Sequence, residues 1–171
     1  MTDELLARAF LASSRATLVN ECWPRLRGCV ESLTDDQVWW RPNEASNSIG
    51  NILLHLNGNV GQWILAGLGG RDESRDRPSE FRQREPVLRA VLLEQLGATV
   101  DESARVIGSL SASDLTAPRT IQGYQVTGLE AVYHVVEHFG MHYGQIVYIT
   151  KQIRGEDLGF YRELDKTGFA P

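Results

Sequence analysis

Four stretches of this chain repeat apolar residues every three or four positions, the period of an α-helix with one face to bury, and they take up most of its length. The first runs from Glu4 to about Leu33 through Leu5, Leu6, Phe10, Leu11, Leu18, Cys22, Leu26, Cys29 and Val30, with Pro24 placed to bend it. The second carries Ile49, Ile52, Leu53, Leu56, Val60, Trp63 and Ile64, and closes on Gly67, Gly69 and Gly70. The third spans Val87 to Ser109, with Gly97 as its weak point. The fourth opens on Thr127-Gly128-Leu129-Glu130, a capping box, and continues through Val132, Val135, Phe139, Ile146, Ile149 and Ile153 to Gly155. Four such faces with little strand signal predict an all-α fold, a four-helix bundle, in a single domain over residues 1–171. The periodicity leaves the topology open.

Between the long segments, Thr34-Asp35-Asp36-Gln37 fits a second capping box and starts a short helix that Arg41-Pro42-Asn43 stops. Trp39, Trp40 and Trp63 are read as core or interface residues. The charged, aperiodic run Arg71–Glu85, with Pro78, is expected to be an exposed connection crossing between helices. Asp114–Thr127 fits a short hairpin or an irregular loop, and Glu156–Pro171 a tail anchored by Phe160 and Tyr161.

Charge narrows the function classes. With 17 Lys and Arg against 22 Asp and Glu, the net charge of −5 argues against nucleic acid as a partner. The sequence has no apolar run of the roughly 18 residues a membrane span needs, and its start is acidic where a signal peptide is basic, so a cytoplasmic location is expected. Cys22 and Cys29, both on one side of the first helix, are expected to be reduced core residues.

Of four histidines, three fall at successive i, i+4 positions, in His134-Val-Val-Glu-His138-Phe-Gly-Met-His142-Tyr-Gly-Gln145. Such a pair points two imidazoles the same way one turn apart, the way a helix offers two nitrogen ligands to one zinc, nickel or iron(II) ion. His134 and His142 are separated by about 12 Å of helix rise, so one pair must be chosen. At about 100° per residue, His138 and His142 lie deeper in the apolar face than His134. His134 is therefore assigned to the pocket wall, and Gln145 beside the ligand pair. The third ligand must come from another helix, which leaves His55. It stands in a stripe of Asn51, His55, Asn59 and Gln62 that lacks any charge, the composition of a wet, partly enclosed cavity, where Asn59 and Gln62 join His134 and Gln145 as pocket residues. Glu130 is explained by its cap, Glu137 faces solvent, and Gly140 and Gly144 are expected to admit a neighbouring helix.

A histidine on the second helix followed by His-x3-His-x2-Gln on the last resembles the DinB-like (YfiT-like) superfamily of metalloenzymes. Trp39-Trp40-Arg41-Pro42-Asn43, Ser48-Ile49-Gly50-Asn51 and His134-Val135-Val136-Glu137-His138 are similar to one branch of it, and the resemblance runs from the first helix to about Phe160. It implies a bundle with a long crossover connection, a zinc or nickel ion on His55, His138 and His142, a homodimer, and in some relatives the use of a low-molecular-weight thiol. Where that superfamily often continues with Arg-Gly-Gln, this chain has Tyr143-Gly144-Gln145. A site without that arginine is expected to take a neutral or weakly charged small-molecule substrate. Two functions follow as expectations: a thiol-dependent transferase or hydrolase, working through the open positions of the ion, and a metal-stabilised dimeric binding or structural protein without turnover. No catalytic residue is assigned.

Overall fold

The computed structural model describes residues 3–162, so residues 163–171 of the expected tail lie outside the described residues. The first helical column is continuous: α1 (Asp3–Ala16), a π-helical turn (Thr17–Cys22) and α2 (Trp23–Glu31). Pro24 has no N–H to give the Asn20 carbonyl, and the wide turn stands just ahead of it, so the expected disturbance takes the form of π geometry. The short helix α3 (Asp35–Trp39) starts on the expected Thr34 and Gln37 capping box. The second column is α4 (Ile49–Val60) followed by a π-helical segment (Gly61–Ala66). A crossover holding α5 (Arg77–Arg82) leads to the third column, α6 (Arg89–Ser109). After α7 (Ala112–Thr116) and the strands β1 (Pro118–Ile121) and β2 (Tyr124–Thr127), the fourth column is α8 (Gly128–Arg154).

Side-chain meetings give the topology that periodicity left open. Asn57 bonds Thr99, and Gly69 lies against Val106, so α4 and α6 run parallel. Trp23 lies against Gly97 and Arg15 near Gly108, so the first column runs against α6. His55 meets His138 and Asn59 meets His134, so α4 and α8 are antiparallel. The bundle is up, down, down, up, and the two parallel columns in the middle of the chain require the crossover. Leu18, Leu26, Leu56, Ile64, Leu96, Ile107, Val135, Phe139 and Ile146, drawn from all four columns, are fully buried between them. Cys22 and Cys29 are free thiols in that core, and burial raises both pKa values.

The 114–127 region resolves into a hairpin in the register Pro118 to Thr127 and Ile121 to Tyr124. Its two-residue turn, Gln122-Gly123, has positive φ at both positions, the twist that suits antiparallel strands. Among the described residues no helix is long and apolar enough to cross a membrane. Three expectations are corrected. Tyr161 is exposed, so Phe160 alone of the two anchors packs on the core. Gly140 and Gly144 face open space within the chain and admit no helix of the bundle. Trp40 is largely exposed, whereas Trp39 packs on Gly50 and donates through Nε1 to the Val87 carbonyl at 2.9 Å.

A methyl group at Gly50 would sit 2.7 Å from the Trp39 ring, which its hydrogen bond holds in place. Gly50→Ala is expected to cost about 1–3 kcal/mol, the usual penalty of overpacking. Gly28, in α2, has nothing near its Cβ position. Gly28→Ala is expected to gain about 0.5–1 kcal/mol through the lower entropy of the unfolded chain. Urea midpoints of the two variants are the check, and shifts of the same sign contradict the packing described.

Candidate metal centre

Two capped helices set the histidines. The Ser48 hydroxyl accepts from the Asn51 N–H, fixing the start of α4 two turns before His55. Thr127 and Glu130 form the reciprocal cap of α8, as the sequence reading had it. Antiparallel packing then brings His55 level with His138, their Nε2 atoms 3.1 Å apart. One ligand nitrogen from each of His55, His138 and His142 falls within 4.8 Å of the others. His134 stands outside this group. The Nδ1 of His142 lies 2.8 Å from the Gln145 Oε1 acceptor, which leaves the Nε2 of His142 free.

The donor set fits a divalent cation. Tetrahedral ligands at 2.0–2.1 Å from an ion stand about 3.3 Å apart, close to the separation of the two facing Nε2 atoms. Burial, with the neighbouring imidazoles and Arg75 adding to it, pushes the His138 pKa down to about 3. Burial likewise lowers His142 and His134. The shifts of His138 and His142 favour the neutral ring, the form in which imidazole binds metal. The Nδ1 of His138 is buried and has no hydrogen-bond partner among the described residues.

The crossover is the main correction. Its charged sequence reads as exposed, yet the side chains of Arg75 and Glu80 are only 5% and 8% accessible. The Oε2 of Glu80 lies 2.9 Å from the His55 Nδ1. Arg75 grips both oxygens of that carboxylate, Nε to Oε1 at 2.7 Å and Nη2 to Oε2 at 2.9 Å, and donates through Nη1 to the Gln62 Oε1 at 2.8 Å. Gln62 in turn donates to Glu73. Burial alone raises the Glu80 carboxyl, but the hydrogen bonds from Arg75 and His55 carry it below the usual carboxylate range. Sequence reasoning missed both residues because charge density outweighed the one available signal, Pro78 followed by a turn of helix.

A cavity of about 600 Å³ opens onto His55 and His138. Its walls are Asn59, Trp63 and His134, with Tyr124 and Gln122 delivered by the hairpin and Arg77 by the crossover. The Asn59 amide lies 3.3 Å from the His134 Nε2, and Trp63 packs on the His134 ring with centroids 4.0 Å apart. The structure therefore brings Asn59 and His134 to this cavity and turns Gln62 away to Arg75. Gln145 is exposed and reaches only His142. Trp63 is buried with the core, as read, and its ring also forms a wall of the cavity. The expected lack of arginine is also corrected, since Arg75 and Arg77 both line the cavity, although the charge of Arg75 is matched by Glu80. Tyr143 is half-buried, packs on the core and neighbours Arg25 of the first column.

A family model described as the DinB superfamily matches residues 18–146. Among solved structures, the chain is similar to a DinB-like protein from Bacillus cereus ATCC 10987, with 16% identity, a TM-score of 0.63, and coverage of 84% of this chain and 90% of that one. A conserved protein from Enterococcus faecalis gives 17% identity, a TM-score of 0.72, and coverage of 85% and 97%. At these identities the likeness concerns the fold alone. No curated protein matches the sequence.

The depressed His138 pKa has a consequence for stability. Unfolded imidazole takes up a proton near pH 6.5, whereas folded His138 resists until about 3. Between those values the unfolded state binds more protons, so this contribution is complete above pH 6.5 and is lost as the pH falls toward 3. Urea midpoints of the chelator-treated protein should drop between about pH 7.5 and about pH 5, and His138→Leu should flatten the drop. An equal drop in both proteins contradicts the burial argument.

Proposed function

This chain belongs to the DinB superfamily, and from that premise we propose a metal-dependent enzyme with His55, His138 and His142 as ligands, acting as a thiol-dependent transferase or a hydrolase. The observation that carries the reading is the cavity: a space of about 600 Å³ reaches two of the three ligands, where a purely structural ion would be enclosed by its four ligands. A divalent ion, zinc or nickel by its fit to imidazole, supplies an electrophile that makes water or a thiol nucleophilic at neutral pH. The chain's own residues do the remaining work. Asn59 and His134 present polar atoms to a substrate, Trp63 and Tyr124 offer aromatic faces for its apolar part, and Arg77 stands at the wall for a partial negative charge.

Two further expectations belong to the same proposal. A homodimer would cover the outward side of α8, where Leu129, Tyr133, Met141 and Tyr148 are exposed around Gly140 and Gly144. A cytoplasmic setting suits the reduced, buried Cys22 and Cys29.

Metal analysis of the purified protein is expected to give one divalent ion per chain, lost in His138→Ala and in His142→Ala and kept in His134→Ala. Stoichiometric metal in the His138→Ala, His142→Ala double variant overturns the site. Addition of a small thiol to the cobalt-loaded protein distinguishes the reactions. New charge-transfer absorption selects the transferase, and its absence with turnover of ester or amide substrates selects the hydrolase. Failure of both, in comparison with His142→Ala, leaves a binding or structural protein without turnover.

A further inference from the structure

We propose that Glu80, carried by the crossover, is the positioning residue of His55: it holds the Nδ1–H tautomer so that Nε2 faces the ion site, and an ion in that site in turn holds the crossover down. The inference rests on the metal reading of the three histidines. The His55 Nδ1 lies 2.9 Å from the Glu80 Oε2 and 3.1 Å from the Arg75 Nη2, which itself donates to that oxygen; an ionised carboxylate has only lone pairs to offer and would repel a bare Nδ1, so Nδ1 is the donor and Nε2 is left bare toward His138.

The surroundings are built for that one contact. Arg75 binds both oxygens of Glu80 in a fork, which removes the carboxylate's freedom to swing away. Gly58, one turn beyond His55 on α4, makes the space: a Cβ there would run into the Glu80 carboxylate and the Arg75 guanidinium. The Asn51 amide, one turn before His55, donates to the carbonyls of Glu80 and Gln83 at 2.8 and 3.1 Å and ties the backbone of α5 to α4. The adjacent Phe81 packs on the His55 ring, centroids 4.7 Å apart. Among the described residues the other two ligands have no comparable support, since His142 relies on an exposed amide of its own helix and His138 has no Nδ1 partner.

Carboxylate partners of ligand histidines are worth about 10–100-fold in metal affinity. Coupling of this kind is reciprocal, so whatever factor Glu80 adds to metal binding, metal adds to docking of the crossover. The experiment compares wild type, Glu80→Gln and Gly58→Ala, with exposed Arg82→Ala as control, each confirmed as folded by circular dichroism. Gly58→Ala removes no charge and no hydrogen-bonding group.

Competition with a chelator should show zinc binding about 10-fold weaker or more in both test variants and unchanged in the control. Long-range proton–nitrogen spectra of the metal-free proteins should show His55 as the Nδ1–H tautomer in wild type and as a mixture in both variants. Zinc should slow hydrogen exchange of the amides at 77–83 in wild type and leave it unchanged in the variants. Zinc affinity within twofold of wild type in both variants overturns the proposal, as does weakened binding with an unchanged His55 tautomer. If wild type binds no metal, the enzyme reading fails on its own, and the tautomer spectra still decide whether Glu80 sets His55.

Discussion

Two imidazole nitrogens facing each other at 3.1 Å inside a helical bundle impose conditions on the whole molecule. One proton shared along that line, or one cation between the rings, relieves the contact; two protons do not. The antiparallel register of α4 against α8 sets the distance, and burial of His138 keeps it uncharged. The up, down, down, up topology follows from the same register, because α4 must reach α8 from the opposite end while also running parallel to α6. The crossover that this connectivity demands is the segment that supplies Glu80.

The cavity depends on a break in regularity as well. A π-helical segment turns the chain through a smaller angle per residue than an α-helix does. Over Gly61–Ala66 this swings Trp63 toward the side occupied by His55 and Asn59, and carries Gln62 away toward the crossover. Trp63 then stacks on His134 and closes one wall. A regular α-helix would keep Gln62 under the histidines, which is the arrangement the uniform helical wheel describes.

That difference marks where the sequence is legible. The four columns, the caps at Thr34 and Thr127, and the choice of His138 with His142 over His134 all follow from local periodicity, because helix geometry fixes which side chains share a face. The polar stripe was legible as something other than a solvent-facing surface, since Asn51, His55, Asn59 and Gln62 are all nearly inaccessible, but of the four His55 and Asn59 line the cavity. What local pattern cannot carry is pairing across the chain. Arg75 and Glu80 are ordinary surface residues until each neutralises the other, and no window of the sequence contains His55, Gly58 and Glu80 together. Gly140 and Gly144, read as admitting a neighbouring helix, meet none among the described residues of the chain.

The buried ion pair is better explained by the site than by stability. Taking Arg75 and Glu80 out of water costs several kcal/mol per ion, and an apolar pair of similar volume is often as stabilising or more so. Packing alone therefore gives no reason for charges between α4 and α5. An apolar residue at position 80 would leave the buried His55 Nδ1–H without an acceptor, and His55 could then turn its other nitrogen outward. A lone carboxylate there would be raised by burial until it took up a proton and lost its selectivity for one tautomer. The arginine prevents this, because its bidentate grip keeps Glu80 ionised and stationary. Metal ligation asks for a bare Nε2, the bare Nε2 asks for an acceptor at Nδ1, the acceptor asks for a charge partner, and the crossover brings both.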